Sequence, residues 1–214
     1  MHCTVIPVKS LINSKKRLNS FLTPEQRKEL VITLLKGVLT AATNSKLTHC
    51  NLLVTSDSEI VKTTQQWQLP HLEYLIEPEE KGINQAVQLA IKWCLSKEIT
   101  SILIIPADLP LVKSKDIDEI IESGQKNSSV IIIPSQRKDG TNAFYQQPPN
   151  LVAVWYGDDS FHQNLDLLVK QQVPYIILEH LGFALDIDLK EDLLHLKLVK
   201  SPPNISKFIK TLKI

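Results

Sequence analysis

Ile102-Leu103-Ile104-Ile105, running into Pro106-Ala107-Asp108-Leu109-Pro110, is the stretch that decides the fold. Four apolar residues without alternation describe a strand covered on both faces, as in a parallel sheet with helices on each side. One carboxylate then stands at the strand's carboxyl end, between two prolines that stiffen the backbone. Ligands of open α/β sheets bind outside the carboxyl ends of the strands. Asp108 is therefore the first candidate for chemistry, as a carboxylate that holds a divalent cation. The competing explanation is a turn, which Asp also organises.

Outward toward the N-terminus, Cys3 to Val8 reads as a first strand, followed by a basic loop from Lys9 to Leu18. Thr23-Pro24-Glu25-Gln26 offers an N-cap hydroxyl, Pro at N1 and Gln at N3, a capping box. Leu30, Val31, Leu34, Leu35, Val38 and Leu39 continue that helix, and Gly37 inside it implies close packing against a neighbour. Cys50 to Thr55 is a second strand, about Asp57 to Gln66 a helix, and His71 to Ile76 a third strand. Gly82 opens a helix with Ile83, Val87, Ala90, Ile91 and Cys94 on its apolar face.

Outward toward the C-terminus, Ser114 caps a helix through Ile117, Ile120 and Ile121, closed by Gly124 as a C′ residue. Val130 to Pro134 is another buried strand. Ala143-Phe144-Tyr145 and Val152 to Tyr156 read as strands linked through Pro148-Pro149. Ser160 starts a helix, Tyr175 to Leu178 and Phe183 to Leu189 are strands, and two short helices follow. This alternation predicts an α/β fold: a single domain over residues 1–214, with a mostly parallel sheet, helices on both faces and right-handed crossovers.

Composition narrows the function classes. The 214 residues are 43% apolar and 22% charged, near the globular norm, with a net charge of +1. A dedicated nucleic-acid or anionic-membrane binder shows a clear basic excess. No apolar run approaches the roughly 18 residues of a membrane span. MHCTVIPVKS has no basic region ahead of its apolar stretch, so it reads as a strand and not a signal peptide, and a cytoplasmic location is expected. Cys3, Cys50 and Cys94 lack disulfide or zinc spacing and read as core residues. The 6 glycines fall well below the roughly 15 that average usage gives. No P-loop, dinucleotide fingerprint, H-E-x-x-H or G-x-S-x-G occurs, which disfavours the corresponding enzyme classes.

The remaining candidates sit beside strand ends. In Leu185-Asp186-Ile187-Asp188-Leu189, a strand would place Asp186 and Asp188 on one face. Paired carboxylates repel unless a cation lies between them, and hard oxygen ligands suit Mg²⁺. Asp188-x-x-Glu191 also reads as a helix cap, which leaves Asp186 unexplained. Lys9, Lys15, Lys16 and Arg17 form a basic cluster where a polyphosphate would need cations; a solvated charged face is the alternative. Gly82-Ile83-Asn84 opens a helix whose N–H groups favour anions or carbonyls. Ser160-x-x-Gln163 is a capping box that alone could account for Ser160.

Taken in order, Ile6-Pro7-Val8-Lys9, Ser14-Lys15-Lys16-Arg17-Leu18, Pro106-Ala107-Asp108-Leu109-Pro110-Leu111, Gly140-Thr141-Asn142-Ala143, Gly157-x-x-Ser160-Phe161 and Asp186-x-Asp188 with Asp192-Leu193 resemble the CofC family. Its members are 2-phospho-L-lactate and phosphoenolpyruvate guanylyltransferases of coenzyme F-420 biosynthesis. The resemblance implies a nucleotide-diphospho-sugar transferase domain of the glycosyltransferase-A type. Asp108, Asp186 and Asp188 would hold Mg²⁺. Lys9, Lys16 and Arg17 would meet the triphosphate of GTP, with Asp108, Lys16 and Arg17 as the catalytic set. Gly82 and Asn84 would meet the nucleoside, and Thr141, Gly157 and Ser160 a three-carbon phosphorylated carboxylate. Asn164 stands where family members often carry His.

Two rivals remain. Molybdenum-cofactor guanylyl- or cytidylyltransferases and sugar-nucleotide pyrophosphorylases usually open with a glycine-rich loop, where this chain has Lys and Ser. A non-catalytic nucleotide-binding module would not need three converging carboxylates. The sequence leaves the acceptor open among 2-phospholactate, phosphoenolpyruvate and 3-phosphoglycerate. It also leaves open whether Phe208 and Ile209 pack internally or across a homodimer.

Overall fold

The computed structural model describes residues 1–127, 129–199 and 201–212. Seven strands form one sheet: β1 (His2–Pro7), β2 (Cys50–Thr55), β3 (Leu72–Ile76), β4 (Ser101–Ile104), β5 (Val130–Pro134), β6 (Thr141–Gln146) and β7 (Tyr175–Ile177). Their order is β3-β2-β1-β4-β6-β5-β7. Every pair is parallel except those of β6, which runs antiparallel to β4 and β5. From β1 the chain steps outward to β2 and β3, then returns to place β4 on the other side. That reversal opens a crevice beyond the carboxyl ends of β1 and β4.

The apolar runs are explained by coverage of both faces. Ile6, Leu53, Leu103, Ile131, Ile133 and Tyr145 face α1 (Pro24–Thr43), α2 (Ser58–Gln65) and α4 (Ser114–Asn127). Their alternates Val5, Leu52, Ile102, Ile104, Ile132 and Phe144 face α3 (Ile83–Ser96) and α5 (Ser160–Lys170). Beyond β7 come one helical turn, α6 (Leu181–Ala184), then α7 (Lys190–Leu198) and α8 (Pro203–Thr211). A third apolar cluster binds this tail to α1: Leu30 and Leu34 meet Leu185, Ile187, Leu193, Phe208 and Ile209. Phe208 and Ile209 are thus buried within the chain. Each buried side chain of that size contributes about 1.5–3 kcal/mol, so the cluster holds the 185–189 segment firmly against the sheet end.

The capping box forms as expected. Gln26 N donates to Thr23 Oγ1 at 3.2 Å, and Thr23 N to Gln26 Oε1 at 2.9 Å. Other expectations are corrected. Gly124 lies inside α4, not after it. A Cβ there would lie 2.1 Å from the Tyr145 ring, so the residue permits close helix–sheet approach. Gly37 has no such reason, since a Cβ there would meet nothing within 4 Å. Val152 to Tyr156 is no strand. Its amides are taken by side chains: Val152 N by Gln146 Oε1, Trp155 N by Asn164 Oδ1 and Tyr156 N by Asn84 Oδ1. Phe183 to Leu189 is no strand either. It is the last half of α6 followed by a segment whose Ile187 N donates to Asp108 O at 3.3 Å. Among the described residues, no helix is long and apolar enough to cross a membrane.

Candidate active site

The loop after β1 approaches the crevice without glycine, so side chains hold its shape. Ser10 N donates to Glu80 Oε2 at 3.0 Å and Leu11 N to Asp57 Oδ2 at 2.8 Å. Arg27 Nη1 donates to the Ser14 carbonyl at 3.2 Å. Leu11 and Leu18 are buried beneath it. Lys15, at φ 55° in the left-handed region, then turns its ammonium inward.

That ammonium ties two carboxylates together. Lys15 Nζ pairs with Asp108 Oδ2 and lies 2.9 Å from Asp188 Oδ1. Burial alone would lower the Lys15 pKa; Asp108 and Asp188 outweigh it and hold the ammonium well above its ordinary value. Burial likewise favours a neutral Asp188, but Lys15 and then Arg17, at 3.9 Å, keep that carboxyl below the usual range. Asp186 is met by Arg137 Nη2 and Asn142 Nδ2, each at 3.2 Å. Burial, then the charge of Asp108, push its carboxyl up to about 6. Arg137 also donates to Asp192 Oδ1 at 2.8 Å. Asp192 Oδ2 accepts from Asp188 N and Leu189 N, so Asp192 caps α7 and Asp188 does not.

Opposite lies an uncharged, interlocked corner. Thr141 N donates to Ser160 Oγ at 3.0 Å, and Asn164 Nδ2 to Thr141 Oγ1 at 3.0 Å. Each hydroxyl accepts, which leaves its own hydrogen to donate. Ser160 is therefore no cap; the cap position of α5 belongs to Asp159, whose side chain makes no cap bond. Asn164 is buried and unable to reach a ligand as an outer contact; it braces Thr141 against Trp155. Gly157, at φ 136°, occupies backbone space that strains any other residue.

One cleft of about 710 Å³ collects Lys9, Lys16, Arg17, Asp108, Thr141, Gly157, Ser160, Asp186 and Asp188 along its wall. Gly82 and Asn84 do not line it. Gly82 borders a small adjoining recess. Asn84 spends both ends of its amide on the Tyr156 backbone, at 2.8 and 2.7 Å. From sequence, Lys15 reads only as one of the basic cluster, with no role of its own, and Arg137 and Asn142 have no role. Arg137 lies three residues beyond the end of the buried strand β5, and that position near a strand's carboxyl end is the available signal.

Among the described residues, no group of three or more His, Cys, Asp or Glu side chains is arranged as a ready cation cage. Lys15 and Arg137 instead offset the carboxylates. The donor set nevertheless suits a hard cation. Asp108 Oδ1 is buried without a hydrogen-bond partner, and Asp186 carries the penalty of facing Asp108.

Comparison with known proteins agrees with this geometry. A family model described as "Guanylyl transferase CofC like" matches residues 2–214. The 2-phospho-L-lactate guanylyltransferase of Methanocaldococcus jannaschii is 33% identical over 189 residues, covering 88% of this chain and 79% of that protein. The phosphoenolpyruvate guanylyltransferase of Rubrobacter xylanophilus is 28% identical over 193 residues, covering 90% and 92%. A solved structure described as a nucleotide-diphospho-sugar transferase, from Desulfovibrio desulfuricans, superposes with TM-score 0.76 at 12% identity, over 100% of this chain and 98% of that one; it bears on the fold alone. Strand order, cleft and family model converge, and the chain belongs to the CofC-like guanylyl transferases.

Proposed function

We propose that this chain, acting in the cytoplasm as one domain over residues 1–214, transfers GMP from GTP to the phosphate of 2-phospho-L-lactate or phosphoenolpyruvate. Pyrophosphate is released, and the product enters coenzyme F-420 biosynthesis. The observation that carries the reading is one cleft with two unlike walls: cations of the β1 loop on one side, and the Thr141–Ser160 hydroxyl pair on the other.

The acceptor phosphate is ionised at neutral pH, so attack needs no general base. One of its oxygens bonds to the α-phosphorus of GTP, and the bond from that phosphorus to the β-phosphate bridge breaks. The barrier is mutual repulsion of two anions and charge gathering on the leaving pyrophosphate. Lys9, Lys16 and Arg17 face that charge from the β1 loop. Thr141 and Ser160 donate hydroxyl hydrogens toward the acceptor, and Gly157 lets backbone approach it. Gly82 and Asn84 act on the nucleoside side, Asn84 through Tyr156. Asp108, Asp186 and Asp188 would hold Mg²⁺, which supplies electrostatic stabilisation to the triphosphate. Lys15, paired with both Asp108 and Asp188, holds the two carboxylates beside each other for that task.

The test is pyrophosphate release from GTP and Mg²⁺, with each acceptor in turn and with none. Release that requires 2-phospho-L-lactate or phosphoenolpyruvate supports the reading and names the acceptor. Silence with both, from folded protein that binds GTP, overturns it.

A further inference from the structure

Glu77 follows β3 at its carboxyl end, where its amide donates to the Thr55 carbonyl at 3.0 Å and fixes its direction. The residue is only 5% exposed, yet its Oε2 is buried with no hydrogen-bond partner. Leaving a buried acceptor unmet costs about 1–3 kcal/mol, and more for a charged group. Among the described residues, no ion pair or side-chain hydrogen bond relieves it. Glu80 cannot: its carboxylate is committed to Ser10 N and Asn13 Nδ2. Lys81 pairs with Glu79. Burial, then the charge of Glu80, raise the Glu77 carboxyl above its ordinary pKa. The group is positioned and desolvated, and lacks donors.

The recess it borders indicates what kind of donor is missing. Glu77, Glu80 and Gly82 line it together with Pro7, Val8 and Lys9, and the last three also line the main cleft. Its volume is about 20 Å³, room for one water-sized group but not for a ring. Gly82, at φ 91° and with nothing within 4 Å of a Cβ position, leaves the rim open. A base lying in the main cleft could insert one exocyclic group here. Guanine presents two adjacent donors on one edge, N1–H and the C2 amine. A carboxylate is the side chain that accepts both. Adenine presents an acceptor at N1 and would leave the carboxylate opposed to a lone pair.

We propose that Glu77 is the base-reading residue, accepting the N1–H and the C2 amine of guanine with that amine seated in the recess. This rests on the guanylyl-transfer reading for the identity of the nucleotide. It goes beyond that reading in naming the group that selects the base.

Equilibrium binding of GTP, ITP and XTP to wild type and to Glu77→Gln, with Mg²⁺ present, decides it. Inosine lacks the C2 amine, and xanthine carries a carbonyl there. The wild type should bind GTP at least about 10-fold more tightly than ITP. An amide accepts from N1–H and donates to the C2 carbonyl, so Glu77→Gln should weaken GTP and strengthen XTP. The XTP-to-GTP affinity ratio should rise about 100-fold or more, a loss and a gain that misfolding does not produce. An unchanged ratio in folded Glu77→Gln overturns the proposal. So does a wild type that does not prefer GTP to ITP, which covers the case of a variant that fails to fold. Parallel pyrophosphate-release assays keep the two readings apart. Guanine preference without turnover would overturn the transferase and leave the base-reading result standing.

Discussion

The two walls of the cleft are held by opposite means. The β1 wall is charged: Lys15 joins Asp108 to Asp188, and Arg17 stands over them with its side chain 63% exposed. The β6–α5 wall is built on a neutral triad: Thr141, Ser160 and Asn164 interlock out of solvent, with spacings near 3 Å. Exposed charge acts over distance and tolerates small displacements. Interlocked hydroxyls act only where they stand, so their supporting residues matter as much as they do. The first wall suits a flexible triphosphate, the second a small rigid acid.

That contrast can be broken in order of effect. Asp108→Ala should lower kcat by about 1,000-fold or more in folded protein, since it removes charge at the reacting centre; steady-state turnover checks it, and unaltered turnover removes Asp108 from the mechanism. Asn164→Ala should raise the acceptor KM by about 10–100-fold while leaving that for GTP nearly unchanged. Equal effects on both substrates would erase the distinction between the walls. Arg17→Ala should raise the GTP KM by about 10-fold, with a shallower salt dependence than wild type.

The smallest expected effect is a pH signature of the charged wall. The Asp186 carboxyl is pushed up to about 6 from an ordinary 3.8. The folded state then binds more protons than the unfolded chain between those values, so stability falls as pH rises through that window. Without divalent cation, wild type should lose about 1–3 kcal/mol relative to Asp186→Asn between about pH 4 and 6. Thermal midpoints of both proteins across that range give the difference. Parallel curves would show that Asp186 is not strained by its neighbours.

Periodicity revealed most of the sheet. The continuous runs at 102–105 and 130–134 are strands because both faces are covered, and the Thr23 capping box marks α1 to the residue. Periodicity failed where backbone is satisfied by side chains far away in sequence. Val152 to Tyr156 is apolar and β-rich, but its partners are Gln146, Asn164 and Asn84, not a strand. The 185–189 segment buries Leu185 and Ile187 as a strand would, yet its amides go to Asp108 and Asp192. Within the site, strand ends pointed to Asp108 and the basic loop. Lys15 could not be told from its neighbours Lys16 and Arg17, because only the left-handed turn at that residue separates the buried cation from the exposed ones.

The glycine-free loop after β1 carries a consequence for engineering and for descent. Its shape is specified by Glu80 and Asp57, residues 70 and 46 positions away from the amides they hold. Such a loop is not a transferable module. Grafting residues 9–18 onto a related scaffold would move the charges without their template, and a neutral drift at either carboxylate would surface as a defect in substrate binding. Because the donors at positions 10 and 11 are backbone amides, the constraint falls on the carboxylates at 80 and 57, which should persist as lineages diverge while any residue but proline can stand at 10 and 11.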